Sequence, residues 1–161
     1  MGCDITGWVE FSNTTWRHRQ VEGARWLPVL DAGFLLGHNY DLFGSLFGVR
    51  NATDFAPVAA DRGLPTDLSE LTRRDAEYEA YHSHTWVTWE ELAAVDWDEL
   101  AMKWGDEFSR IRGDLDPDGR PEMISRRQTL NADWHLLMEM AAPLVRQYGA
   151  DRVRLVLWFD N

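Results

Sequence analysis

A chain of 161 residues, 45% of them hydrophobic, has room for one domain spanning 1–161, large enough to bury roughly two thirds of its unfolded surface. A net charge of -11 argues against bulk nucleic-acid binding and against adhesion to an anionic membrane. The longest apolar stretches, 32–37 and 153–159, fall far short of the ~20 residues of a membrane span.

Residues 4–11 alternate, with Ile5, Val9 and Phe11 on one face and Asp4, Thr6, Trp8 and Glu10 on the other, which predicts a strand. Asn13-Thr14-Thr15 reads as a turn and 16–21 as a return strand; 25–30 is a further extended piece that Pro28 restricts to a sheet edge. Leu42, Phe43, Leu46, Phe47 and Val49 recur at helical spacing, predicting a short helix over 40–49. The stretch 50–65 lacks periodicity, and a loop that long in a compact domain is often functional.

A polar helix is expected over 67–81 and an extended segment over 82–87. Thr88-Trp89-Glu90-Glu91 then has the capping-box pattern that starts a helix, and a second helix is expected over 98–112, ending at Gly113. Residues 132–148 give the longest helix, with Pro143 placed to kink or shorten it and Gly149 to end it. Residues 152–160 close the chain as a strand, Val153, Leu155, Leu157 and Phe159 sharing one face. A terminal strand this apolar belongs in a sheet centre beside the N-terminal strand. The expected fold is therefore α+β: a small, mostly antiparallel sheet containing both terminal strands, with helices packed on one side.

Several motifs carry possible chemistry. The start Met1-Gly2-Cys3-Asp4-Ile5-Thr6 has the form of a myristoylation signal, but a strand beginning near residue 4 and the lack of a polybasic patch read against an anchor. With the single Cys3 and no leader-like start, a cytoplasmic location is expected. Asp114, Asp116 and Asp118, with Gly119, match the first half of a calcium loop, yet Ser125 stands where a bidentate Glu belongs, so calcium is a weak candidate and no cofactor is assigned.

His82-Ser83-His84 is more informative. In a regular extended segment both imidazoles point to one face, with Trp86 continuing it, as paired acid/base groups or metal ligands require. A divalent metal there needs further ligands from Asp4, His38, His135 or Asp160. Arg62, framed by Gly63 and Pro65, is the favoured phosphate- or carboxylate-binding guanidinium, with Arg50 as a second and Tyr40 as a hydrogen-bonding neighbour. Nine tryptophans exceed what a small core absorbs easily, which points to an oligomer interface or a ligand pocket. The plain alternatives are half-exposed histidines at a strand end, solvated arginines and tryptophans in the core.

The blocks Met1-Gly2-Cys3-Asp4-Ile5, Asn39-Tyr40-Asp41-Leu42-Phe43, Val49-Arg50-Asn51, Arg62-Gly63-Leu64-Pro65, His82-Ser83-His84-Thr85-Trp86 and Trp158-Phe159-Asp160-Asn161 resemble, in order and along nearly the whole chain, those of an uncharacterised family of small phage and bacterial proteins. Family members usually carry His after the opening Cys-Asp-Ile, where this chain has Thr6. The resemblance implies a phage-type accessory protein acting in the host cytosol. By analogy with phage inhibitors of bacterial immunity, its ligand is expected to be a nucleotide-like signal such as a cyclic dinucleotide or cyclic ADP-ribose derivative.

Three readings follow. The first is a homo-oligomeric binding protein that sequesters such a phosphorylated small molecule through Tyr40, Arg50, Arg62, His82, His84 and Trp86. The second is a phosphodiesterase or related hydrolase using His82 and His84 as metal ligands or as acid and base, with Asp4 and Asp160 as accessory carboxylates. The third is a protein–protein interaction module built on the tryptophans.

Overall fold

The computed structural model describes residues 4–12, 26–105 and 121–160. Strands β1 (Asp4–Ser12), β2 (Trp26–Asp31), β3 (His82–Thr88) and β6 (Val153–Asp160) form one antiparallel sheet in the order β2-β1-β6-β3. Both terminal strands are therefore central and paired along their length, from Asp4 opposite Asp160 to Phe11 opposite Val153. Strand β2 lies at an edge with Pro28 in it, where a missing amide costs no ladder bond. The fold is α+β, with the sheet and strand placement that the apolar alternation predicts.

The two faces of β6 enter different cores. Leu155, Leu157 and Phe159 join Ile5, Val9 and Val87 beneath α2 (Tyr40–Phe47), α4 (Trp89–Ala93) and α5 (Ala132–Tyr148), whose Phe43, Leu92, Trp134 and Leu137 complete the main core. Each such fully buried large side chain contributes about 1.5–3 kcal/mol. The short α1 (Gly33–Leu36) packs against β1 and α5. Val156 and Trp158 point to the opposite face, where Leu68, Leu64, Trp8, Trp86, Tyr81 and Ala76 of α3 (Glu70–Ala76) cover them. Most helices thus pack on one side, as expected, and α3 adds a thin second layer on the other.

Local signals account for the element ends. Asn39, Ser69, Thr88 and Asn131 each accept a backbone N–H at a helix start, and Thr88 with Glu91 completes the expected capping box. Helix α5 occupies 132–148 as predicted and runs past Pro143 without being shortened. Gly44 of α2 sits where a Cβ would meet the Asn51 Cα at 2.7 Å, so glycine there serves close packing of the following loop.

Two expectations are corrected. The helix expected over 98–112 is not present at its start: Leu100–Lys103 is β4, paired with β5 (Glu122–Ser125), and Thr53 bridges to Lys103. Leu100-Ala101-Met102 has helical propensity, but Ala101 and Ile124 close over Phe55, and that pairing overrides local preference. The helix expected over 67–81 is confined to α3, since Asp67 and Leu68 are drawn into the second layer. The helix begun at Trp89 ends at Ala93. The calcium-like Asp114, Asp116 and Asp118, the return strand over 16–21 and Cys3 lie outside the described residues.

Candidate functional site

The expected histidine pair does not form. His82 faces Phe159 in register, and the pairing then slips before Thr85 meets Leu157. Ser83 takes a φ of 52°, a left-handed conformation uncommon outside glycine. One irregular residue inside a strand reverses the alternation beyond it. His82 therefore stacks beside Phe159 of the main core, centroids 6.3 Å apart, whereas His84 lies 6.3 Å from Trp158 on the opposite face. Two groups on opposite faces cannot act as paired ligands or as acid and base on one substrate. Among the described residues no three His, Cys, Asp or Glu side chains gather as a metal site needs.

The predicted residues instead fall into two groups. The first collects at the end of the sheet where β1 and β3 begin and β6 ends. Asp4 pairs with His38 at 3.1 Å, the His38 and Tyr40 rings are 6.2 Å apart, and the Arg50 guanidinium rests over the Tyr40 ring at 5.4 Å. Arg50 is itself left-handed, with φ 48°. His82 reaches the same side, its Nδ1 hydrogen-bonded to Ser83 Oγ at 2.9 Å. His135 stands apart on α5.

The second group lies across the sheet. His84 and Trp86, two residues apart in regular strand, share a face with Trp158 and, from β1, Trp8. His84 Nε2–H donates to the Ala76 carbonyl at 3.1 Å, tying β3 to the end of α3. Trp8 Nε1–H ties β1 to the same end of α3 by donating to Asp75 at 3.0 Å. Tyr81 packs 5.8 Å from Trp158, and Tyr78 sits edge-on to Tyr81 at 5.2 Å. A row of aromatic side chains thus runs from the α3–β3 turn to the middle of the sheet.

Arg62 joins this group but in a structural role. Its guanidinium donates to Glu91 at 3.0 Å and to the carbonyls of Val58 at 3.0 Å and Trp86 at 3.3 Å, and it lies over the Trp86 ring. Gly63 N–H donates to the His84 carbonyl at 2.9 Å and Thr85 Oγ1–H to the Ala59 carbonyl. The loop before Pro65 therefore covers the outer edge of β3, which protects an otherwise open strand. Burial pushes the Glu91 carboxyl up, but hydrogen bonds from Arg62 and Thr88 outweigh it and hold the group below its ordinary range.

Two further arginines, Arg126 and Arg154, repeat the arrangement. Arg126 is buried against Phe55, donates to Glu99 at 2.6 Å and also serves the carbonyls of Ser45 and Ala56. Arg154 is buried over the Trp26 ring and divides its donors between Glu10 and Asp67. Glu10, the seventh residue of β1, and Arg154, the second of β6, sit on faces that alternation alone marks as outward; a charged residue within an apolar strand was the available signal.

No protein-family model, no curated protein and no solved structure matches the chain.

Proposed function

We propose that the protein is a non-enzymatic binding protein that sequesters a nucleotide-like phosphorylated small molecule on the sheet face bearing His84 and Trp86. The observation that carries this reading is the aromatic row itself: Trp8, Trp86, Trp158 and Tyr81 with His84 on one face, beneath the small α3. Aromatic faces accept a planar base with little regard to its identity, at about 1–3 kcal/mol per stacked base. Because Arg62 is held by Glu91 and by carbonyl groups, phosphate contact on this face falls to the α3 arginines, Arg73 and Arg74, rather than to Arg62. The family-like blocks support a phage-type origin and hence an immune signal, a cyclic dinucleotide or cyclic ADP-ribose derivative, as the ligand in the host cytosol.

The hydrolase reading loses its basis in the separation of His82 from His84. An interaction role keeps one specific observation in its favour: Phe34 on α1 is 90% exposed, and Leu136 and Met140, one turn apart on α5, are also exposed. Such a patch suits self-association into a homo-oligomer.

The test is a thermal-shift and calorimetric panel of AMP, GMP, UMP, cyclic di-GMP and cyclic ADP-ribose, followed by recovery of the bound compound after heat denaturation. A stabilising ligand recovered intact, with binding weakened in His84→Ala, supports sequestration. Recovery of cleaved products, or no binding across the panel, overturns it.

A further inference from the structure

Trp158 is 1% exposed, and among the described residues its indole Nε1–H has no acceptor. A buried N–H left unmet costs about 1–3 kcal/mol, and such groups are rare enough that each calls for a cause. Two other indoles on this side of the molecule show the contrast. Trp8 donates to Asp75 at 3.0 Å and Trp26 to Asp67 at 2.7 Å, as does Trp104 to Asp54 at 3.1 Å elsewhere. His84, whose ring lies 6.3 Å from that of Trp158, spends its Nε2–H on the Ala76 carbonyl.

The unmet donor lies at the inner end of the aromatic row. Tyr78, at the outer end, is 64% exposed, and Tyr81 links the two. The turn between α3 and β3 is exposed throughout 77–80, so displacing it uncovers little apolar surface. Glu77 and Glu79 set a negative field around the turn itself, whereas Arg73 and Arg74 lie just before it on α3, so phosphate is kept away from the turn and toward α3. What enters is therefore an uncharged planar group offering a hydrogen-bond acceptor.

We propose that Trp158 Nε1–H is the donor that reads the acceptor edge of a nucleobase, a ring carbonyl or unprotonated ring nitrogen, which enters base-first along Tyr78 and Tyr81. This rests on the sequestration reading and deepens it: the base is held inside and the phosphate stays outside, near α3.

The experiment uses the full chain with ¹⁵N-labelled indoles and sequentially assigned tryptophan resonances, titrated with AMP, GMP, UMP and, separately, inorganic phosphate. The Trp158 Nε1–H resonance is expected to move downfield with at least one nucleotide and to stay in place with phosphate. Trp158→Phe, which keeps the ring and removes the donor, is expected to weaken that nucleotide about tenfold, the worth of one hydrogen bond. If the variant does not fold, the wild-type titration decides alone. A nucleotide that binds while the Trp158 resonance stays still, or that binds the variant as tightly, overturns the assignment and leaves sequestration standing. A resonance that shows contact only with a long-lived water means the donor is met by solvent, and overturns it too. Absence of binding by all three nucleotides and by the wider panel sinks both readings together.

Discussion

The Arg154 guanidinium donates across the strands to the Glu10 carboxylate at 2.9 Å, with both side chains almost wholly withdrawn from solvent. The same guanidinium reaches Asp67 at 2.7 Å, Trp26 Nε1–H donates to the other Asp67 oxygen, and Ser69 N–H donates to the second Glu10 oxygen at 3.3 Å. One arginine thereby pins β6, β1, β2 and the segment leading into α3.

Removing Glu10 leaves Arg154 charged and buried with only the half-exposed Asp67 to meet it, which is costlier than losing both Glu10 and Arg154. Glu10→Ala is expected to reduce stability by about 3–5 kcal/mol, a large share of the 5–15 kcal/mol of an ordinary domain. The double variant Glu10→Leu with Arg154→Met is expected to lose less than Glu10→Ala alone. Urea unfolding of the three proteins measures this; a Glu10→Ala loss under about 1 kcal/mol shows that solvent reaches the pair.

Acid should loosen the same region. Burial pushes the Asp67 carboxyl up, but hydrogen bonds from Arg154 and Trp26 and the Arg154 charge outweigh it, so its folded value lies below the ordinary one, as does that of Glu91. A group lowered on folding contributes stability that is complete above its unfolded value and is lost as pH falls through the folded value. Melting temperature is therefore expected to hold from neutral pH down to the ordinary carboxylate range and to fall below it. In Asp67→Asn with Glu91→Gln the fall should be shallower. An unchanged acid slope in that double variant would remove these two groups as the cause.

Arg62 offers a way to separate structure from binding. Its replacement by Ala strips donors from Glu91, Val58 and Trp86 and uncovers the edge of β3. We expect a stability loss of about 1–3 kcal/mol, and Arg62→Lys should recover little, since one ammonium cannot reproduce the planar fork. Concentration-dependent association should rise in Arg62→Ala as the strand edge opens. Unchanged melting with selectively weakened nucleotide binding would instead restore Arg62 as a phosphate contact.

The histidine segment shows where reading along the chain stopped working. His82 and His84 are two residues apart, and regular alternation puts them together; the left-handed Ser83 puts them on opposite faces. Nothing in His-Ser-His forces that irregularity. It arises where β3 must match β6 and also meet the loop that hydrogen-bonds to His84 and Thr85. Leu100–Lys103 is the same lesson for an element: its residues favour a helix in isolation, and a partner strand beginning at Glu122 makes it a strand.

Local chemistry did determine much of this protein. Alternation identified β1 and β6 and divided the faces of β6, and 82–87 read as extended. The Thr88 capping box marked the start of α4, and the apolar spacing of 132–148 with Gly149 after it defined α5. These features depend on neighbours within a few residues, so order along the chain is enough to specify them. The roles of Arg62, Arg126 and Arg154, the burial of Glu10 and the unmet donor of Trp158 were decided only by tertiary structure. A charge or a polar hydrogen is satisfied by whatever group folding brings within about 3 Å, and for these residues that group lies up to 144 positions away.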